Sequence, residues 1–218
     1  MSFIYTRVKG GYMVGTGSTE HHNAVYNPGS MIGPITIPYQ YKGKKIISIS
    51  QYAFSYLPYI THVFIKADVE KLEQCSFLYC SNLMSINIPA SCTTIESSAI
   101  GIGNYLNLNL ISNVLDVYIE PNSKLSFLSY HSICCKQYVK IHYCGSHDVE
   151  AHNEAFVPNT EVYSPYNVSL GNIVSTNKEM NCNSPIEKER KCTQKVKHGN
   201  GMSLHFLTLF IILSLYYV

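Results

Sequence analysis

A strictly periodic sequence repeat constrains the fold of this chain more than any other feature. The pair Ala53-Phe54 recurs as Ser76-Phe77 and then as Ala99-Ile100, with equal spacing between the three occurrences. The apolar positions between these pairs recur at the same spacing: Ile60, Val63, Ile65, Val69 and Leu72 in one unit, and Leu83, Ile86, Ile88, Cys92 and Ile95 in the next. A fixed period of about 20–50 residues is the signature of stacked repeats, in which each unit buries its apolar face against its neighbours. The chain is therefore predicted to form a solenoid.

The repeat frame extends in both directions from these two units. Its markers are Ile37, Ile65, Ile88, Ile119, Ile141 and Val162. Three of the steps between successive markers are close to the repeat period, and the first and third are longer. The two long steps contain turn-forming segments, residues 39–45 and 101–113, and repeat arrays place such insertions in loops. We expect a mainly β leucine-rich-type solenoid of about five to six rungs over residues 35–163, with short parallel strands joined by tight turns or short helical segments.

The alternation of side chains along a strand predicts which residues face outward. Val63 and Ile65 are expected to point into the core and Phe64 away from it. Stacking then aligns the outward positions into a column: Thr36, Phe64, Asn87, Tyr118 and Lys140. Aromatic and cationic side chains on a regular face favour protein interfaces, so we predict that this column binds a protein partner. On the opposite side, Ala53, Phe54 and Phe77 are predicted to be core residues.

The segments outside the repeats are predicted to have separate roles. Residues 1–34 are expected to form a capping hairpin, since Phe3-Ile4-Tyr5 and Tyr12-Met13-Val14 flank the turn signal Lys9-Gly10-Gly11. Residues 164–201 are predicted to be a polar linker with a basic collar, because residues 178–198 hold six Lys or Arg against three Glu. Residues 202–218 are predicted to be a hydrophobic helix that anchors the chain in a membrane.

The hydrophobic tail permits three interpretations. Its length is at the lower edge of what spans a bilayer, so it is either a tail anchor, a lipid-anchor attachment signal that is removed, or a buried core helix. The N-terminal residues contain no apolar run of signal-peptide type. Membrane attachment, most simply at the cell surface, is our prediction, and the topology of the anchor stays open.

The repeat units resemble the BspA-like leucine-rich repeat family. The resemblance rests on the Ala-Phe pair, on Ile35-Thr36-Ile37-Pro38 and Ile86-Asn87-Ile88-Pro89, and on the Val-x2-Leu or Cys-x2-Ile step that follows each strand. Members of this family are surface antigens of bacteria and parasitic protists, and many are thought to act as adhesins. The resemblance implies a surface antigen or adhesin whose protein ligands include host or matrix proteins. The alternative is a tail-anchored intracellular or structural scaffold without an adhesin role.

Catalytic and cofactor chemistry is not predicted. The net charge of +2 argues against nucleic-acid binding, and the sequence contains no nucleophile elbow, phosphate loop or paired-carboxylate pattern. We therefore expect no enzyme, no cofactor, no metal and no small-molecule substrate. The cluster His142, Cys144, His147 and His152 has metal-ligating residue types without a defined spacing, and a surface loop is the preferred interpretation. Cys75, Cys80 and Cys92 are predicted to pack in the repeats, and Asn167-Val168-Ser169 is a candidate glycosylation site.

Overall fold

The computed structural model describes residues 2–101, 114–134 and 138–177, together with Cys182. In these residues the chain is built from strands and turns, and the one helical element is a 3₁₀ turn at Pro28–Ser30. The strands are β1 (Tyr5–Val8), β2 (Gly11–Val14), β3 (Gly33–Ile37), β4 (Gln40–Tyr41), β5 (Lys44–Ile49), β6 (Ile60–Ile65), β7 (Lys71–Leu72), β8 (Phe77–Leu78), β9 (Ser85–Ile88), β10 (Thr94–Ile95), β11 (Ile100–Gly101), β12 (Leu115–Ile119), β13 (Phe127–Leu128), β14 (Ile133–Cys134), β15 (Val139–Tyr143), β16 (Glu150–Ala151), β17 (Thr160–Ser164), β18 (Ser169–Leu170), β19 (Ile173–Val174) and β20 (Thr176–Asn177).

The three rungs that begin at β6, β9 and β12 each pass through three sheets in turn. A long strand enters a seven-stranded sheet ordered β3-β6-β9-β12-β15-β17-β20, and all of these strands pair in parallel. A two-residue strand then enters an eight-stranded sheet, ordered β1-β2-β5-β7-β10-β13-β16 with β4 beside β5. A second short strand enters a three-stranded sheet ordered β8-β11-β14. The prediction of a mainly β solenoid with short parallel strands is thus confirmed.

The core is a stack of equivalent apolar side chains, one from each rung. Phe54 and Phe77 are fully buried, and their rings stack with centroids 5.1 Å apart. Ile100 pairs with Phe77 on one side and with Ile133 on the other, which continues the stack. The prediction that Ala53, Phe54 and Phe77 are core residues is confirmed. Removing a buried phenylalanine from such a core costs about 3–5 kcal/mol of unfolding free energy, so these positions dominate the stability of each rung.

Left-handed turns recur where the chain enters the three-stranded sheet. Tyr52, Cys75, Ser98 and His131 occupy equivalent positions with φ between 48° and 55°. This conformation disfavours side chains with a Cβ atom, so a sequence without glycine at these positions accepts backbone strain in every rung. The turns are therefore fixed by the stacking of the rungs and not by local preference.

The N-terminal end of the stack is covered by the first two strands. β1 and β2 form an antiparallel hairpin, and β2 pairs in parallel with β5, which extends the eight-stranded sheet. Phe3 packs edge-on against Phe54 with ring centroids 5.4 Å apart. In the seven-stranded sheet, β3 is the terminal strand on this side. Its Ile37 carbonyl accepts a hydrogen bond from Lys66 on the β6 side, so the peptide groups of Pro34, Thr36 and Pro38 face the free side.

The C-terminal end differs from the predicted polar linker. Within the predicted range, residues 164–177 continue the fold: β20 pairs in parallel with β17, and β18 and β19 form a hairpin. Leu170, fully buried, bridges to Val149 and covers the last rung. A disulfide joins Cys144, next to β15, to Cys182. The linker prediction is therefore wrong for residues 164–177, because their few apolar side chains close the stack.

The other two C-terminal predictions, the basic collar and the hydrophobic helix, concern residues that the structure, apart from Cys182, does not describe. The basic collar, with Cys182 as its one described residue, and the hydrophobic helix at 202–218 lie outside the described residues. Within the described residues, no helix is long and apolar enough to cross a membrane.

Candidate interaction surfaces

The outward column of the seven-stranded sheet contains four of the five predicted residues. Thr36 pairs with Phe64 in the sheet, and Asn87 pairs with Tyr118. The next residue in register is His142, followed by Tyr163. We call the set Thr36, Phe64, Asn87, Tyr118, His142 and Tyr163 the strand-face column.

Lys140 was predicted to continue this column, and that prediction is wrong. Lys140 pairs with Asp116, one outward position earlier on the strand. The repeat pattern in the sequence had aligned Ile141 with Ile119. In the sheet Ile141 pairs with Val117, so the predicted alignment of β15 with β12 was shifted by two residues. Because side chains alternate between the two faces, a slip by two positions keeps every residue on its correct face and leaves the apolar pattern unchanged.

Asn87 lies in the column but is not available to a partner. Its side chain is 3% exposed, its Oδ1 accepts from the Ile65 N–H at 2.7 Å, and its Nδ2 donates to the Ile65 carbonyl at 3.0 Å and to Glu120 Oε1 at 3.0 Å. In the other rungs the residue after the strand donates its N–H to the preceding rung, as Lys66 does to Ile37 and Glu120 does to Ile88. Pro89 occupies that place after β9 and has no N–H to give. The amide of Asn87 therefore replaces a missing backbone hydrogen bond.

The C-terminal half of the column is a stack of rings on a fixed support. Tyr118 and His142 stack with centroids 4.4 Å apart and planes 10° apart, and Tyr163 continues the stack at 5.9 Å. His142 Nε2 lies 2.7 Å from Asp116 Oδ1, which fixes the orientation of the imidazole. Burial raises the pKa of Tyr118, and the nearby Asp116 carboxylate raises it further, so the phenol stays neutral and able to donate a hydrogen bond.

The residues of the possible metal cluster have separate partners. His142 is paired with Asp116, and Cys144 is in the disulfide with Cys182. His147 Nε2 lies 2.8 Å from the Leu125 carbonyl, and His152 Nδ1 accepts a hydrogen bond from the Glu154 N–H. Within the described part of the chain, no group of three or more His, Cys, Asp or Glu is placed to hold a metal ion.

Three other cysteines of the repeats are core residues. Cys75, Cys80 and Cys92 are buried, as predicted, and each is a free thiol. Burial raises the pKa of Cys80 and of Cys92 to about 12, so both stay protonated at neutral pH. They act as small apolar side chains rather than as nucleophiles.

A second surface lies on the turns on both sides of the three-stranded sheet and on the N-terminal segment that contacts them, and sequence reasoning missed it. We call it the tyrosine ridge: His21, Tyr52, Tyr56, Tyr59 and Tyr79. The ring of Tyr56 lies 4.2 Å from His21 and 4.4 Å from Tyr79, centroid to centroid, and His21 also contacts Tyr52 at 5.4 Å. Tyr56 and Tyr59 are 46% and 59% exposed.

Three tyrosines of the ridge adopt left-handed backbone conformations. Tyr52, Tyr56 and Tyr79 have φ of 54°, 56° and 60°. A non-glycine residue pays about 1–2 kcal/mol for this conformation, and Asn or Asp pays less. One signal in the sequence pointed to the ridge, since Tyr56 and Tyr79 occupy the same place in successive repeat units. The strained backbone conformation leaves no such signal.

The candidate glycosylation site lies at the C-terminal end of the stack. Asn167 is exposed in the segment between β17 and β18, while the next residue, Val168, is buried. The acceptor residue is therefore on the surface, where a glycan can be attached.

The comparisons with known proteins agree with the repeat. Residues 34–124 match the model of the BspA type leucine rich repeat region in six copies. The search of curated proteins found no match, and neither did the search of solved structures. Leucine-rich repeats of this kind are typically non-enzymatic and provide scaffolds for protein–protein interaction. The repeat, the parallel strands and this match identify residues 34–124 as a repeat region of the BspA-like leucine-rich type.

Proposed function

We propose that this protein is a non-enzymatic surface antigen or adhesin that binds protein partners through its strand-face column. The observation that carries the proposal is the ring stack of Tyr118, His142 and Tyr163 on the support of Asp116. Rings that are held in place before binding lose little conformational entropy when a partner packs on them. Aromatic side chains at the centre of an interface also contribute much of the binding free energy.

The composition of this face favours a protein partner over a charged polymer. The outward position beside the column alternates in sign, with Asp116, Lys140 and Glu161 on successive long strands. Such a mixed rim gives a protein partner specific charge contacts around an aromatic centre. A one-signed rim, which a nucleic acid requires, is not formed by these described residues.

The test of this face is a pair of matched double variants of the full chain. Phe64→Ser with Tyr118→Ser removes two rings of the column, and we expect binding to plates coated with basement-membrane extract to fall at least about tenfold. Phe127→Ser with Tyr138→Ser is the control, because these exposed rings lie outside the column. Urea unfolding checks that both variants are folded. Equal binding by a folded column variant and by wild type would overturn the assignment of this face.

We further propose that the protein acts outside the cell, attached to a membrane by residues 202–218. The disulfide between Cys144 and Cys182 supports this, since disulfides persist in oxidising compartments. The exposed Asn167 in a glycosylation sequon supports it as well. An intracellular scaffold would keep Cys144 and Cys182 reduced and Asn167 unmodified.

Mass spectrometry of the protein from its native cells separates these two locations. Peptide mapping without reduction should recover Cys144 linked to Cys182, and protease treatment of intact cells should remove the repeats. The C-terminal peptide decides between an uncleaved anchor and a lipid attachment signal, because the latter removes residues 202–218. Reduced cysteines together with protease resistance would establish the intracellular alternative.

A further inference from the structure

In the described residues, the side of the solenoid that carries the tyrosine ridge is free of formal charge along most of its length. Residues 50–59, 74–84, 97–101 and 129–134, which form the three-stranded sheet and the described turns next to it, contain no Asp, Glu, Lys or Arg. Glu20, which adjoins His21 in the chain, and Glu154, which lies 3.5 Å from His131, mark the two ends of this side.

The other two sheets carry charged side chains along their length. Lys66, Asp116 and Lys140 belong to one of them or adjoin it, and Lys45, Lys71 and Glu96 belong to the other or adjoin it. The distribution of charge therefore distinguishes the side with the ridge from the remaining sides of the described rungs.

We infer that the tyrosine ridge is a self-association surface on which a second copy of this chain packs. In a two-fold symmetric interface the same patch is used by both copies: residue i contacts residue j and j contacts i, and residues near the axis meet their own counterparts. Charged residues near the axis therefore meet like charges, and a patch without charge avoids this repulsion. Of the three sheets, the three-stranded one has no Asp, Glu, Lys or Arg among the residues of its strands.

The residue types of the ridge match those of an interface centre. Interface cores are depleted in charged residues and enriched in tyrosine. A tyrosine side chain gives a large contact area, and only two side-chain torsion angles have to be fixed when it binds. Around Tyr56 and Tyr59 the chain supplies Ser55, Leu57 and Pro58, of which Ser55 and Leu57 are buried and Pro58 is exposed. The contact surface around Tyr56 and Tyr59 is thus aromatic.

The backbone of the ridge gives an independent argument. Tyr56 and Tyr79 keep an aromatic side chain at positions where asparagine would relieve backbone strain. Tyr56 is 46% exposed, so its ring gains little from burial in return for this strain. The rings of His21 and Tyr79 pack against the ring of Tyr56, so the orientation of the Tyr56 side chain is fixed before a second copy binds.

The test is the association state of the full chain in a neutral detergent, measured by sedimentation velocity over a range of protein concentrations. Wild type should form a dimer whose dissociation constant changes less than about twofold between low and high salt, because a contact without charges is not screened. The double variant Tyr56→Asn with Tyr59→Asn should weaken the dimer at least about tenfold. The matched control is Phe127→Asn with Tyr39→Asn, two exposed rings away from the turns around the three-stranded sheet, which should dimerise as wild type does.

Three results would overturn this inference. They are a wild-type chain that is monomeric at every concentration, a ridge variant that dimerises as tightly as wild type, and a dimer that dissociates as salt is raised. The second result would assign the dimer to another part of the chain. Because the ridge and the strand-face column share no residue, binding of basement-membrane extract stays a separate measurement, and either proposal can fail without the other.

Discussion

The strand-face column and the tyrosine ridge use outward residues in opposite ways. In the column, Asn87 points away from the core and yet serves the backbone, since it completes the hydrogen bonding that Pro89 interrupts. In the ridge, the backbone at Tyr56 is strained and the side chain is exposed. The comparison teaches that facing outward does not identify a binding residue in a repeat protein. What distinguishes the two cases is whether the fold needs the side chain.

The largest expected effect in this comparison is at Asn87. Asn87→Ala leaves the Ile65 N–H and carbonyl unpaired in a buried position, and each unsatisfied group costs about 1–3 kcal/mol. We expect the free energy of unfolding to fall by about 3 kcal/mol, measured by urea denaturation. Thr36→Ala, at an exposed position of the same column, is the control and should change stability by less than about 0.5 kcal/mol. A loss of stability at Asn87 no greater than at Thr36 would remove the distinction drawn above.

A smaller effect of opposite sign is expected at Tyr56. Tyr56→Asn should raise the free energy of unfolding by up to about 1 kcal/mol, because asparagine tolerates a φ of 56° better than tyrosine does. Tyr59→Asn provides the comparison, since Tyr59 is not among the residues with positive φ and should gain nothing. Thermal and urea unfolding measure both variants. A clear loss of stability in Tyr56→Asn would mean that ring packing on His21 and Tyr79 outweighs the backbone strain.

The smallest expected effect is at the pair formed by Asp116 and His142. Both side chains are partly exposed, and such pairs contribute about 0–1 kcal/mol. Asp116→Asn should therefore lower stability by less than about 1 kcal/mol, while partner binding falls because His142 loses the charged acceptor that orients it. Lys140→Ala, beside Asp116 in the sheet, controls for the loss of a charge on this face. If binding is unchanged in Asp116→Asn, the fixed ring stack does not contribute to recognition.

The sequence was sufficient to predict the rung and insufficient to predict its details. The repeat period predicted the stacked core correctly, because burial of Phe54 and Phe77 is a property of the repeat itself. The register of Lys140 was wrong, since a slip by two positions keeps the inside and outside pattern intact. Asn87 could not be recognised as a backbone partner before the position of Pro89 relative to Ile65 was known. The end strands at 169–177 were too short and too polar to be recognised from their sequence.

Two prolines protect the N-terminal edge of the seven-stranded sheet. The peptide groups on the free side of β3 belong to Pro34, Thr36 and Pro38, so Thr36 alone can donate a hydrogen bond there. An open edge of parallel strands is otherwise a template for pairing with another chain, and it leads to fibres when copies add end to end. The N-terminal edge of this sheet is protected against such growth. Growth by strand addition at this edge is therefore disfavoured, and the contact inferred at the tyrosine ridge does not use it.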